Sequence, residues 1–289
     1  MIADMGEAAA VAVAFGTTFD FLHAVVYFAP EARQRFAAAG LEDGSTAYFA
    51  SRSAAMGPVG AGVVTASFFN FHPGKVARSL PHAWTITTPE AVLEARFAAV
   101  DDLYRRLFGE ELLASAEVAE AAALAREATE GCRPDGRPLY AAHATLPWPD
   151  QPHLVLWHAV TLLREHRGDA HIAALLVNGL SGLTALVTHV ATGAGFTPSA
   201  AKRTRGWSDA EWDAAVAELT VEGILDADGT LTGRGRDLRE RVEAATNAAS
   251  LGPWQHLGEE KTARLRELCR PLGRRVLEAG AIPGRRIPD

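Results

Sequence analysis

The densest run of groups able to exchange protons is WHAVTLLREHRGDAH, from Trp157 to His171. Imidazole and carboxylate side by side can move protons near neutral pH, and imidazole is also a common metal ligand. On a helix, His158 and Glu165 are seven residues apart and share a face, while His166 projects about 80° away from His158. Gly168 is expected to break that helix and Asp169 to cap the next, gathering His166, Asp169 and His171 around a corner. His158, Glu165 and His166 are therefore the candidate acid and base groups. Their spacing fits neither H-E-x-x-H nor another metal signature, so no metal site is assigned.

A second set lies nearer the start of the chain. His23 and Tyr27 are one helical turn apart, and ASFFNFHPG supplies Phe69, Asn70, Phe71 and His72 in a short stretch. Aromatic rings with one amide and one imidazole suit an apolar pocket with a few orienting polar groups. Arg52 shares a helical run with Tyr48 and can meet an anionic ligand group. The ligand-binding candidates are thus His23, Tyr27, Arg52, Phe69, Asn70, Phe71 and His72, joined by His158, Glu165, His166, His171 and His189. They imply a small apolar or aromatic ligand with a polar or anionic handle. The alternative is an enzyme using the same histidines and Glu165 for acid–base chemistry, or a histidine to ligate a metal or haem; no cofactor is identified. There is no G-x-S-x-G elbow, Walker loop or dinucleotide-binding G-x-G-x-x-G. Cys132 and Cys269 lie far apart and form no C-x-x-C pair, which excludes a disulfide framework.

These groups must be positioned by helices. The chain has 289 residues, with apolar side chains recurring at spacings of three and four and no long alternating patterns. Its net charge of −7 repels phosphate backbones. Asp4 and Glu7 stand where a signal peptide carries cations, and no apolar run approaches the roughly 20 residues of a membrane span. A cytoplasmic protein without a membrane partner, monomeric or homodimeric, is expected. Pro134, Pro138, Pro147, Pro149 and Pro152 mark residues 131–152 as a linker between a half at 1–130 and a half at 153–289. The halves show an extended self-similarity. The stretch from His23 to Gly57 aligns with that from His158 to Gly193, both opening His-Ala-Val, and the stretch from Ile86 aligns with that from Leu231. In this alignment His189 faces the segment of Arg52. A duplication of this size predicts two halves packed about a pseudo-twofold axis.

From Trp207 the sequence reads WSDAEWDAAVAELTVEGILDADGTLTGRGRDLRERVEAATN. Ser208 and Glu211 form a capping box, a helix follows to about Glu222, and Gly223 ends it. Ile224 and Leu225 begin a strand, Ala227 to Gly229 turn, and Leu231 and Thr232 return. This pattern resembles the C-terminal part of a MarR-like winged-helix domain over about Ala170 to Thr246, most sharply between Leu219 and Gly235. The whole chain is also similar to a family of actinobacterial proteins of about this length that carry a helix-turn-helix label. The resemblance implies a mainly α fold of two winged-helix-like halves, a single-chain pseudo-dimer with a short β-wing in the second half.

MarR-like regulators place the recognition helix in the major groove and often bind small aromatic ligands. Here that helix carries Asp209, Glu211, Asp213, Glu218 and Glu222 and no Lys or Arg, and the wing adds Asp226 and Asp228. Carboxylates opposed to phosphates forfeit the counterion release that drives DNA binding. Nucleic acid is therefore an unlikely partner. A transcriptional regulator remains a second alternative, with contacts moved to Lys75, Arg78, Lys202, Arg203 and Arg205.

Overall fold

The computed structural model describes residues 19–193, 195 and 197–282. The fold is mainly helical. α1 (Asp20–Ala24) runs into a 3-10 turn at Val25–Phe28, and α2 (Pro30–Ala38) and α3 (Gly44–Ser53) come after it. Next come α4 (Ala61–Phe68), α5 (Pro73–Ser79), the single turn α6 (Ala83–Ile86) and the long α7 (Pro89–Phe108). After the short α8 (Glu110–Leu113) and α9 (Ala116–Thr129), the proline-rich stretch carries α10 (Pro138–Ala144), with Pro138 in its first turn. α11 (Pro152–Val177), α12 (Gly182–Val190), α13 (Pro198–Arg205), α14 (Asp209–Val221) and α15 (Gly233–Ala249) lead to α16 (Gly252–Leu257) and α17 (Glu259–Glu278). No single helix among them is long and apolar enough to cross a membrane.

Two apolar cores meet along α11. The first is built from α1 to α10, the front of α11 as far as Leu163, and α16 and α17, with Phe49, Val100, Leu103, Trp157 and Leu265 at its centre. The second runs from Ala174 at the rear of α11 through Leu186, Trp212, Leu219 and Leu238 to Val242. Between the cores α11 carries its polar stretch, Arg164 to His171. Gly168 lies inside this helix, which continues unbroken to Val177, so the expected corner around His166, Asp169 and His171 does not form. A glycine costs a helix about 1 kcal/mol. Burial of α11 along most of its 26 residues, against α9, α10 and α15, outweighs that penalty.

The capping devices read in the sequence are present. Ser208 and Glu211 form the capping box of α14, and Gly223 comes just after the helix at φ +70°. The expected β-wing is reduced: no strand is present among the described residues, and the loop after α14 is closed by one antiparallel bridge, Leu225 to Leu231. Each arm offers only about two residues, too few for a ladder. The Asp226 carboxylate instead pins the turn by accepting from the Asp228 and Thr230 amides and the Thr230 hydroxyl.

Several local devices occur once before and once after the middle of the chain. Gly40 (φ +90°) ends α2 and lets the Leu41 amide reach the Phe36 carbonyl; Gly179 (φ +78°) ends α11 and does the same for Leu180 and Leu175. Asp43 and Ser181 then cap α3 and α12. The eight-residue helices α4 and α13 both end on a positive φ, at Phe69 and Gly206. Thr88 and Thr232 cap the long helices α7 and α15. The turns after α4 and α13 also touch: the His72 amide donates to the Arg205 carbonyl at 2.9 Å, and the Trp207 indole donates to the Asn70 carbonyl at 2.9 Å.

Gly182, the first residue of α12, lies against this contact. A Cβ there would sit 2.0 Å from the Phe69 carbonyl oxygen, whereas Gly233, at the matching position of α15, has open space. Gly182→Ala is expected to lower the unfolding free energy by about 2 kcal/mol or more, and Gly233→Ala to leave it within about 0.5 kcal/mol, in chemical denaturation. Equal effects would remove the close approach as the cause.

Candidate functional site

The polar groups gather where α11 passes from one core to the other. Glu165 is buried, and both its oxygens accept from Arg52 Nη2 of α3, at 3.1 and 3.2 Å; a further bond comes from Arg164 Nη1 at 3.1 Å. Burial alone would raise its pKa, but the Arg52 and Arg164 charges outweigh burial and bring it down to about 2. Arg164 also bonds Asp20 of α1 at 2.8 Å. His23, fully buried, faces Thr161 Oγ1 through Nδ1 and the Tyr27 hydroxyl through Nε2, each at 2.9 Å, and stacks on Trp157. Burial, then the charges of Arg164, Arg96 and Arg52, push its pKa well below the ordinary histidine value, so it is neutral.

Arg96 completes the network. It belongs to the apolar stripe of α7 with Val92, Ala99, Val100 and Leu103, and is 1% exposed. Nη1 donates to the Ser51 carbonyl at 2.9 Å and faces His143 Nε2 at 3.2 Å, while Nη2 donates to the Tyr27 hydroxyl at 3.0 Å. Those partners are neutral, because burial followed by the Arg96 charge brings His143 down to about 4. Among the described residues no carboxylate lies within ion-pair distance of Arg96, and neither its Nε nor the buried Arg52 Nε has a partner.

A cavity of about 330 Å³ opens beside this network, between the 3-10 turn, α2 and α3. Val26, Ala29, Ala32, Phe36, Leu41 and Ala47 give it aliphatic and aromatic walls, and Arg33 and Glu42 also line it. Tyr27, Tyr48 and Ser51 line it too and belong at the same time to the network. The two tyrosine rings meet edge to face, centroids 5.3 Å apart. Each hydroxyl accepts from an arginine, Tyr27 from Arg96 and Tyr48 from Arg52 at 3.1 Å.

The structure thus brings together four of the sequence candidates: His23, Tyr27, Arg52 and Glu165. Phe71 stands close by, with its ring against Tyr48 and under the Arg205 guanidinium. The others are dispersed. Phe69 and Asn70 form the turn after α4, and His72 pairs with Glu211 at 3.0 Å and packs on Trp207. His158 points toward Trp148 and Phe97; its Nε2 is buried without a partner among the described residues, and burial, then His143 and Arg96, bring its pKa to about 3. His166 takes the Arg133 amide, His171 meets Thr246 on α15, and His189 lies beside Gly195. Asp169 caps α10 by accepting the Leu139 and Tyr140 amides, rather than capping a helix after Gly168. Among the described residues no group of three or more His, Cys, Asp or Glu side chains is placed to hold a metal ion.

Arg96, His143, Tyr48, Thr161 and Arg164 were not among the candidates. Arg96 had a sequence signal, a cation at a core-facing position of an otherwise apolar helical stripe. His143 had none, since its proximity to Arg96 depends on the path through the proline-rich stretch.

In keeping with this helical architecture, residues 12–283 match the model of a helix-turn-helix family, and the chain belongs to that family. No curated protein and no solved structure gives a significant match.

The buried imidazoles set the acid response. His143, His158 and His166 have pKa values of about 4, 3 and 4 when folded, against 6.5 when exposed. Between those limits the unfolded chain binds more protons than the folded one, so stability falls as pH drops below about 6.5, by up to about 1.4 kcal/mol per pH unit for each histidine. Glu165 adds a loss of the same sign between pH 4.5 and about 2. Asp169, raised to about 6 by burial, opposes them between pH 3.8 and about 6 as one group against five, since burial also lowers His23 and His171. Denaturation midpoints at about pH 7 and about pH 5 are expected to differ, the acidic one lower; equal midpoints would mean that the imidazoles are hydrated.

Proposed function

We propose that this member of the helix-turn-helix family is a small-molecule-binding protein whose DNA-reading surface has been lost. The supporting observation is the cavity between α2 and α3, apolar along its walls and bounded by two arginine-backed tyrosines. Its volume of about 330 Å³ lies at the small end of ligand sites. His23 and Glu165 are each occupied by protein partners, so the reading is binding without turnover.

In this reading the two halves are degenerate winged-helix units of MarR-like type fused as a pseudo-dimer. The repeated caps at Asp43 and Ser181 and at Thr88 and Thr232 support it, as do the positive φ values at Phe69 and Gly206. The expected ligand position shifts outward, because Trp157, His23 and Thr161 fill the seam while the cavity lies one layer away in the first half.

α14 takes the place of a recognition helix. It buries Trp212, Ala215 and Leu219 and turns Asp209, Asp213, Glu218 and Val221 to solvent. Of the basic residues beside it, Lys202 is paired with Asp209, and Arg205 is mostly buried over Phe71. The family description favours a second reading, a DNA-binding regulator, whose contacts would fall to Lys75, Arg78 and Arg203. Lys75 and Arg78 line a separate recess with Asp43, Ser45, Thr46 and Ser79.

Two measurements separate the readings. Screening small apolar compounds should reveal one that raises the melting temperature, with the rise abolished in Ala47→Trp, which fills the cavity; at ligand concentrations about 100 times Kd the gain is about 2.7 kcal/mol. Electrophoresis with duplex DNA at moderate salt is expected to show no retardation. Retardation that weakens as salt rises would establish the regulator instead.

A further inference from the structure

A recess of about 400 Å³, sharing no lining residue with the cavity between α2 and α3, opens where α5 packs against the start of α3. Asp43, Ser45 and Thr46 line it from the α3 side, and Lys75, Arg78 and Ser79 from α5. Positions 75, 78 and 79 are three and four apart, so on α5 they share one face. Where the first cavity is walled by aliphatic and aromatic groups, this one is walled by charges and hydroxyls.

Two cations of the lining face one carboxylate, and that carboxylate is already engaged. Asp43 Oδ2 accepts from the Thr46 amide at 2.7 Å and from its hydroxyl at 2.8 Å, bonds that hold the Asp43 pKa below its ordinary value. The Lys75 stem is fixed against the turn after α13: a Cβ on Gly206 would sit 2.9 Å from it. Burial, then the charges of Arg205 and Arg78, lower the Lys75 pKa against the opposing pull of Asp43. The Lys75 ammonium thus stands in the repulsive field of its neighbour Arg78, and an anion between the two would relieve it. Ser79 and Thr46, 2% and 7% exposed, form the floor, while Arg78 is exposed at the rim. Their hydroxyl oxygens are 3.4 Å apart. Thr46 gives its proton to Asp43, so Ser45 and Ser79 are the neutral donors. A compact anion can enter and reach the floor, whereas a phosphate strung along the convex backbone of a duplex stays at the rim.

We propose that this recess binds a phosphoryl group, free or carried by a small monoester, whose oxygens accept from Lys75, Arg78, Ser45 and Ser79. A phosphoryl group offers about three acceptor oxygens and a charge of about −2, which suits two cations and two hydroxyls converging from two helices. A carboxylate brings fewer oxygens and half the charge, and leaves part of the donor set unused.

Calorimetric titration of the full chain with glycerol 3-phosphate, inorganic phosphate and glycerate tests it. Glycerol 3-phosphate is expected to bind at least about tenfold tighter than glycerate, the ratio expected for hydrogen bonds to charged groups. Lys75→Gln and Arg78→Gln should each weaken it by about tenfold, whereas Arg274→Gln, which removes an exposed cation of α17, should leave it unchanged. Asp43→Asn keeps a capping side chain and removes the like charge, so it should tighten binding by about fivefold. Should Lys75→Gln fail to fold, because its stem packs against Gly206, Arg78→Gln and Asp43→Asn decide. Inorganic phosphate matching the ester makes the free ion the ligand, and a tighter ester makes it the monoester; either result upholds the site. Equal binding of glycerate and the ester, or an equal loss in Arg274→Gln, means attraction to positive charge at large and overturns the proposal. Failure of both phosphates to bind overturns it too, and duplex DNA retarded through Lys75 and Arg78 in that case would assign these cations to a nucleic-acid backbone.

Discussion

The organisation of this protein depends on a guanidinium buried in apolar surroundings. Arg96 sits on the inner face of α7 and ties three segments together: Ser51 at the end of α3, Tyr27 in the 3-10 turn and His143 on α10. Taking such a charge out of water is tolerable only if dipoles surround it, and each of those segments supplies one. His143 must stay neutral to accept from it, which its burial secures. α10, in turn, is held to α11 through the two amides bonded to Asp169. The proline-rich stretch is thereby fixed to the core at both the helix start and the His143 side chain.

The same network explains why the polar residues of α11 cluster where they do. Apolar residues occupy its front, as far as Leu163, and its rear, from Ala174, while Arg164, Glu165, His166, Arg167, Asp169 and His171 occupy the interval between cores. In that interval the helix faces α3, α10 and α15, each offering a polar partner: Arg52 to Glu165, the α10 amides to Asp169, and Thr246 to His171. Residues that lie close together in sequence are thus fastened separately around the circumference of a helix.

This accounts for what was legible beforehand. Local signals carried well: the Ser208–Glu211 box, the glycine after α14 and the helical period all act within a few residues, and all appear. Gly168 misled because a local helix penalty of about 1 kcal/mol is small beside the burial of a 26-residue helix. The proximity of His23, Tyr27, Arg52 and Glu165 was reachable from residue type, since each is a polar group on an apolar helical run. Which histidines join them was not, because His143 enters, and His158 leaves, through the packing of α10 and Trp148. The wing failed at the level of length: two residues on each side of a turn support one bridge.

Two distinct apolar clusters would ordinarily allow two stages of melting. Here one uninterrupted rod is embedded in both, so loosening either cluster strips solvent protection from half of α11 and from the charged interval at its middle. Neither half can be lost while the other keeps its full set of contacts. Burial of one helix in both clusters couples their stabilities, because residues in shared contact do not contribute independently.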